Sequence, residues 1–190
     1  HLVYDAWNRL VEVWDDSSGT NDPDGELVTG GDTADEPIAV YRYDALGRRV
    51  VRTDKSGESD VRYDDYYNQR WQLLEVRKDE DADPLKQYVW SARYIDSPVL
   101  RDENTDQDGA CDDARLYYTT DANQSVTALL GDTGGVQERD VYDAYGEATV
   151  WNYNWTSEVS WSSSEQNQVR YCGYRWDWET GLYHVRHRMY

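Results

Sequence analysis

At 190 residues the chain is within the range of a single domain and long enough to bury a core. A formal net charge of −19 argues against a nucleic-acid partner, whose phosphates need Lys and Arg, and suits a self-repelling surface or divalent cations. No run of about 18 apolar residues occurs, so no membrane span is expected. There is no Phe and one Met, but 17 Tyr and 9 Trp, rings with a polar tip that suit half-wet sheet faces better than a dry core.

Taken in chain order, the predicted elements are hairpins. The phrase Asp-x-x-Gly or Asp-x-x-Asn recurs as Asp5 to Asn8 then Asp16 to Gly19, Asp44 to Gly47 then Asp54 to Gly57, and Asp132 to Gly135 then Asp143 to Gly146. An aspartate opening a type I turn caps it with its side chain, and Gly or Asn at the fourth position accepts the left-handed backbone, as a G1-bulge hairpin requires. Partner phrases lie 10 or 11 residues apart, leaving about six for each strand.

Tyr-Asp itself recurs at Tyr4-Asp5, Tyr43-Asp44, Tyr63-Asp64 and Tyr142-Asp143, with gaps of 39, 20 and 79 residues, near multiples of one hairpin. Strict alternation places Val40 and Arg42 opposite Tyr41 and Tyr43, and Arg48, Val50 and Arg52 opposite Arg49, Val51 and Thr53. Mixed polarity on both faces suits a hollow shell or wide curved surface. The expected fold is all-β: serial antiparallel hairpins forming a curved sheet or part of a spiral shell. Loop insertions are expected at about 17–37 and 78–86, and an irregular one at about 152–168. The chain opens without a leader and ends in mid-pattern at Tyr190, which reads as a piece of a longer polypeptide.

The phrases Tyr4-Asp5-Ala6-Trp7-Asn8-Arg9-Leu10 and Tyr43-Asp44-Ala45-Leu46-Gly47-Arg48-Arg49 resemble the repeats of the RHS/YD-repeat family. Tyr117 to Val150 looks like the start of the RHS repeat-associated core. Gly173-Tyr174-Arg175 with Glu179-Thr180-Gly181-Leu182-Tyr183-His184-Val185-Arg186-His187-Arg188-Met189-Tyr190 is similar to the family's Thr-Gly-Leu-Tyr-Tyr-x-Arg-x-Arg-Tyr-Tyr signature. The resemblance divides the chain into YD-repeat hairpins over 1–116 and a core-like segment over 117–190, within one structural unit.

What the resemblance implies is a β-strip spiralling into a shell that, in bacterial toxins, encloses a C-terminal toxin domain. It also implies a secreted or cell-surface location. In the shell-forming toxins an aspartyl autoprotease closes the core. Arg188 matches its supporting arginine, while its two aspartates fall in segments not found here. A lone arginine cannot activate water, a task for paired carboxylates. The chain is therefore expected to be non-catalytic, a wall segment partnered by the rest of its own polypeptide and an enclosed toxin. Two other readings stay open: a filament or sheath subunit whose copies pair edge to edge, and an adhesion module for surface glycans.

Among candidate sites, Asn104, Asp106, Asp108 and Asp112, with Gly109, reproduce the first part of a calcium loop, although Arg115 stands where the bidentate Glu belongs. The alternative is an acidic hairpin loop. Asp22, Asp24 and Gly25 form a shorter version. His184 and His187 are placed on opposite strand faces, unsuited to chelating one ion. Trp151, Trp155, Trp161, Trp176 and Trp178 could stack on sugar rings or fill a core. Cys111 and Cys172 fit no metal spacing, and pairing or free thiols both remain open.

Overall fold

The computed structural model describes residues 1–14, 37–160, 163 and 165–190. The expected turn Asp16–Gly19, the Asp22/Asp24/Gly25 loop and Trp161 lie outside them. Among the described residues thirteen strands form one antiparallel sheet in which every strand pairs with its sequence neighbour. They are β1 (Leu2–Tyr4), β2 (Leu10–Val13), β3 (Ala39–Tyr43), β4 (Arg49–Asp54), β5 (Val61–Tyr67), β6 (Leu73–Lys78) and β7 (Pro84–Trp90). There follow β8 (Pro98–Glu103), β9 (Ala114–Thr120), β10 (Val126–Gly131), β11 (Val136–Tyr142), β12 (Ala148–Asn152) and β13 (Glu158–Ser160). Thus 152–168, expected to be irregular, contributes a further strand. A three-stranded sheet of β14 (Arg175–Asp177), β15 (Leu182–Val185) and β16 (Arg188–Met189) ends the chain. Among the described residues there is no α-helix, only a 3-10 turn at Tyr171–Gly173. The all-β expectation is met.

Strict alternation needs one correction. Cross-strand partners are Tyr43 with Arg49 and Tyr41 with Arg52, while Arg42 faces Val51, so Val50 is an extra residue in β4. Such a bulge inserts one residue and shifts the period. Arg49 and Arg52, three apart, therefore share the buried face, where alternation had set them on opposite ones. The same buried-then-buried spacing of three recurs in Leu10/Val13, Leu73/Val76 and Pro98/Arg101, each just after a hairpin turn. Leu74 and Val99, the extra residues of two further bulges, are turned outward.

Two apolar clusters anchor this face. The larger joins Leu73, Val76, Tyr88, Leu116, Tyr118, Val126 and Leu129 with Val169 from the C-terminal segment. The smaller comprises Leu10, Val13, Ala39 and Tyr41, against which Met189 packs. Both clusters thus take a residue from beyond β13: the C-terminal segment crosses the sheet's buried face.

Candidate functional site

The hairpin turns at one end of the sheet share one device. Asp44 Oδ1 accepts the N–H groups of Leu46 and Arg48, both at 2.9 Å, and Gly47 N–H donates to Asp44 O at 3.0 Å, with Gly47 at φ +82°. Asp5 does the same for Trp7 and Arg9, with Asn8 at φ +60°, and Asp143 for Tyr145 and Glu147, with Gly146 at φ +90°. Two further turns at this end use the device unannounced by a fourth-position Gly: Asn68 to Trp71 and Asp121 to Gln124, with φ of 65° and 67° at Trp71 and Gln124. Their signal was the opening Asx residue alone.

At the opposite end the phrases behave otherwise. Asp54 Oδ1 caps Ser56, but Gly57 is not left-handed and residues 55–60 form a longer connection. The phrase at Asp132 is out of step by one: the turn runs from Gly131 to Gly134, and Gly134, not Gly135, carries φ +80°. The loop expected at 78–86 shrinks to 79–83, since β6 runs to Lys78 and β7 starts at Pro84; it opens on a tight turn closed by Asp81 N–H to Lys78 O at 3.0 Å, in which Asp79 and Glu80 both have positive φ, the mark of a primed hairpin turn.

The acidic loop of 104–112 is organised as turn caps. Asp106 Oδ1 accepts Asp108 N–H, Asp108 Oδ1 accepts Ala110 N–H, and Asp113 Oδ2 accepts both Thr105 and Asp106 N–H. Asn104 is sealed from solvent. Among the described residues no three His, Cys, Asp or Glu side chains gather as a metal-holding set. Cys111 and Cys172 are both free thiols. Of the tryptophans, Trp151 and Trp155 pair at 6.0 Å, while Trp176 lies 6.3 Å from Trp178 and 4.9 Å from Tyr183. Arg188 is exposed, lining a cavity of about 220 Å³ with Tyr4, Arg9 and Tyr43. His187 is also exposed and meets Trp71 edge-on at 4.5 Å.

Chemistry concentrates in the seam between sheet and crossing segment, which sequence reasoning did not single out. Arg49 of β4 and Asp177 of β14 pair at 2.8 Å with neither side chain exposed, and Tyr41 donates its hydroxyl to the same carboxylate at 2.7 Å. Arg175 pairs with Asp65 of β5, and Arg52 with Glu179. Further along, Arg101 donates to the carbonyls of Glu165 and Gln166, and Asn167 lies 3.3 Å from the Tyr118 hydroxyl. Ser163 donates to Glu138 of β11.

Burial raises the Asp177 carboxyl, but Arg49 and the Tyr41 hydroxyl outweigh it and hold it below the usual range. Burial and neighbouring Arg49 push His184 down to about 3, keeping it neutral. A cavity of about 420 Å³ remains in the seam, lined by Arg52, Tyr63, Lys86, Gln168 and Trp178. Burial and Arg101 push Lys86 down to about 8, despite its 3.2 Å pairing with Glu103.

The segment is also fixed at the turn end. Arg186 chelates both oxygens of Asp96 at 2.7 and 2.8 Å, and Gly173 lies so close that a Cβ there would stand 1.8 Å from the Asp96 carbonyl oxygen. Tyr183 donates to Gly146 O at 2.9 Å.

No protein-family model matches the chain. It is 28% identical, over 98% of its length, to the tRNA3(Ser)-specific nuclease WapA of Bacillus spizizenii. To the tRNA nuclease WapA of Bacillus subtilis it is 27% identical over the same share. The chain spans 8% of the length of each of these curated relatives. Among solved structures, TcdB2-TccC3 and the Photorhabdus luminescens Tc holotoxin pore superpose on the whole chain with TM-scores of 0.62 at 17% identity. In both, the chain again spans 8% of the neighbour. One expectation is overturned: a chain read as non-catalytic aligns along nearly all its length with proteins named as nucleases, so its relatives are enzymes. Among the described residues no helix is long and apolar enough to cross a membrane. Sequence relatives and fold neighbours together support a relation to the RHS-type toxin proteins.

Proposed function

We propose that the chain is a stretch of wall in a larger, secreted or cell-surface YD-repeat toxin protein of nuclease type, and that this wall encloses the toxin domain. The observation that carries the reading is the serial meander with a transverse C-terminal segment. Among the described residues thirteen strands, each joined only to its sequence neighbours, form a strip that further hairpins can extend at either edge. The segment beyond β13 then crosses the strip's buried face. The names of the curated relatives support a catalytic whole whose substrate is tRNA. The division into YD-repeat hairpins over 1–116 and a core-like segment over 117–190 belongs to the same proposal.

The test is made on the full-length protein. Electron cryo-microscopy should show a closed β-wall around an interior domain, and limited proteolysis should spare that domain until the wall is opened. Incubation of the released domain with total tRNA should yield discrete fragments. An extended filament, or an interior domain cut as fast as a free one, would sink the wall; intact tRNA would sink the nuclease assignment alone.

A further inference from the structure

We propose that the seam cavity between β4–β7 and the crossing segment binds a small anionic aldehyde or ketone, which Lys86 captures as an imine. The cavity, of about 420 Å³, has apolar walls from Tyr63 and Val76 of the sheet and Trp178 of the segment. Its charged lining is Arg52, Lys86 and Arg175 against the single carboxylate of Asp54. The acids that pair with these cations, Glu179, Glu103 and Asp65, do not belong to the lining. The surface offered to a ligand is therefore cationic, in a chain whose net charge is −19.

Arg52 and Arg175 also hold donors in reserve. They are 7 and 8% exposed, and the buried Arg52 Nε and Arg175 Nη2 find no hydrogen-bond acceptor among the described residues. A buried N–H without an acceptor is costly, and an anionic group supplies the strongest acceptor for a guanidinium.

Lys86 is placed as the nucleophile. Its Nζ lies 3.2 Å from Glu103 Oε1, directly across on β8, and Arg101 Nη2 claims the same oxygen at 2.9 Å. One carboxylate oxygen is thus shared by two cations, with Arg175 acting on the amine as a third. Burial and the repulsion of Arg101 and Arg175 outweigh Glu103 and bring the amine down to about 8. About a tenth of it is then neutral at pH 7, against less than about a thousandth of an ordinary lysine. Only the neutral amine attacks a carbonyl carbon. The Nζ lone pair forms the C–N bond, both amine protons pass to the carbonyl oxygen, and that oxygen leaves as water. Glu103 is within reach of the first of those protons.

Lys55, Lys78 and Lys86 are the three lysines of the chain, which makes the site testable by selectivity. Their side chains are 22, 36 and 13% exposed, so a reagent governed by access alone labels Lys78 first and Lys86 last. The chain is incubated at pH 7 with limiting pyridoxal 5′-phosphate, the imine is fixed with borohydride, and the labelled peptides are quantified, the amino terminus being read from its own peptide. Lys86 should be labelled roughly tenfold faster than Lys78. Pyridoxal, the same aldehyde without the phosphate, should lose most of that preference, and unfolding in urea should abolish it. A Lys86 rate no higher than that of Lys78, an equal Lys86 rate with the two aldehydes, or a preference that survives in urea overturns the proposal.

Discussion

Asp177 and Asp140 are both aspartates in the seam, with exposures of 0 and 4%, yet their carboxyls are displaced in opposite directions. Asp177 faces Arg49 and the Tyr41 hydroxyl, so its charged form is paired and hydrogen-bonded. Asp140 faces another acid, Glu138, on its own strand, whose repulsion adds to burial and outweighs the field of Arg170. Burial acts alike on both; the local count of charges decides the sign. The β3–β5 end of the seam therefore favours a charged aspartate and the β11 end a protonated one. Acidification should loosen the first, as pH falls below about 4 and Asp177 is protonated.

The largest expected effect comes from removing the partner of the charged aspartate. Arg49→Leu leaves Asp177 charged and buried without its partner, which should cost about 3–5 kcal/mol in denaturant unfolding. The double variant Arg49→Leu with Asp177→Leu removes both charges and should recover most of that loss, because a buried pair is worth little more than an apolar pair of similar volume. If the double variant is no more stable than the single one, Tyr41 rather than Arg49 is the partner that matters. A smaller loss, about 3 kcal/mol, is expected for Gly173→Ala, which must displace the Asp96 carbonyl and also holds φ +70°. Its effect should fall on the segment, read as faster exchange of residues 165–186 with the β3–β4 hairpin unchanged.

Much of the sheet was legible because hairpin turns are local. Asp5, Asp44 and Asp143 need only residues two and four positions on to satisfy their side chains, so a short phrase carries the whole device. Asn68 and Asp121 were missed because Trp71 and Gln124 occupy a left-handed position that composition alone assigns to Gly or Asn. Asp132 was misplaced because Gly134 and Gly135 are adjacent and only the paired strands settle which one turns. The seam was not legible at all. Arg49 and Arg52 looked like opposite-facing surface residues until the bulge at Val50 put them on one face, and their partners Asp177 and Glu179 are 128 and 127 residues away in sequence. A buried charge is recognised only from its partner, and the partner here is a matter of tertiary structure.

The smallest effects separate a turn from what lies on it. Gly134 and Gly146 both hold positive φ, so alanine at either should cost about 1 kcal/mol in backbone strain. They differ in surroundings: a Cβ at Gly134 meets nothing within 4 Å, whereas one at Gly146 would come within 2.7 Å of the Tyr171 ring. That ring is held in turn by Tyr142 at 5.6 Å and stacked on Tyr190 at 6.5 Å, so it cannot swing away freely. Gly146→Ala should therefore cost about 1–2 kcal/mol more than Gly134→Ala. In the background of Tyr171→Ala the difference should vanish, a coupling that a double-mutant cycle measures directly. If the two glycines cost the same in both backgrounds, the Tyr171 ring does not rest on the β11–β12 turn.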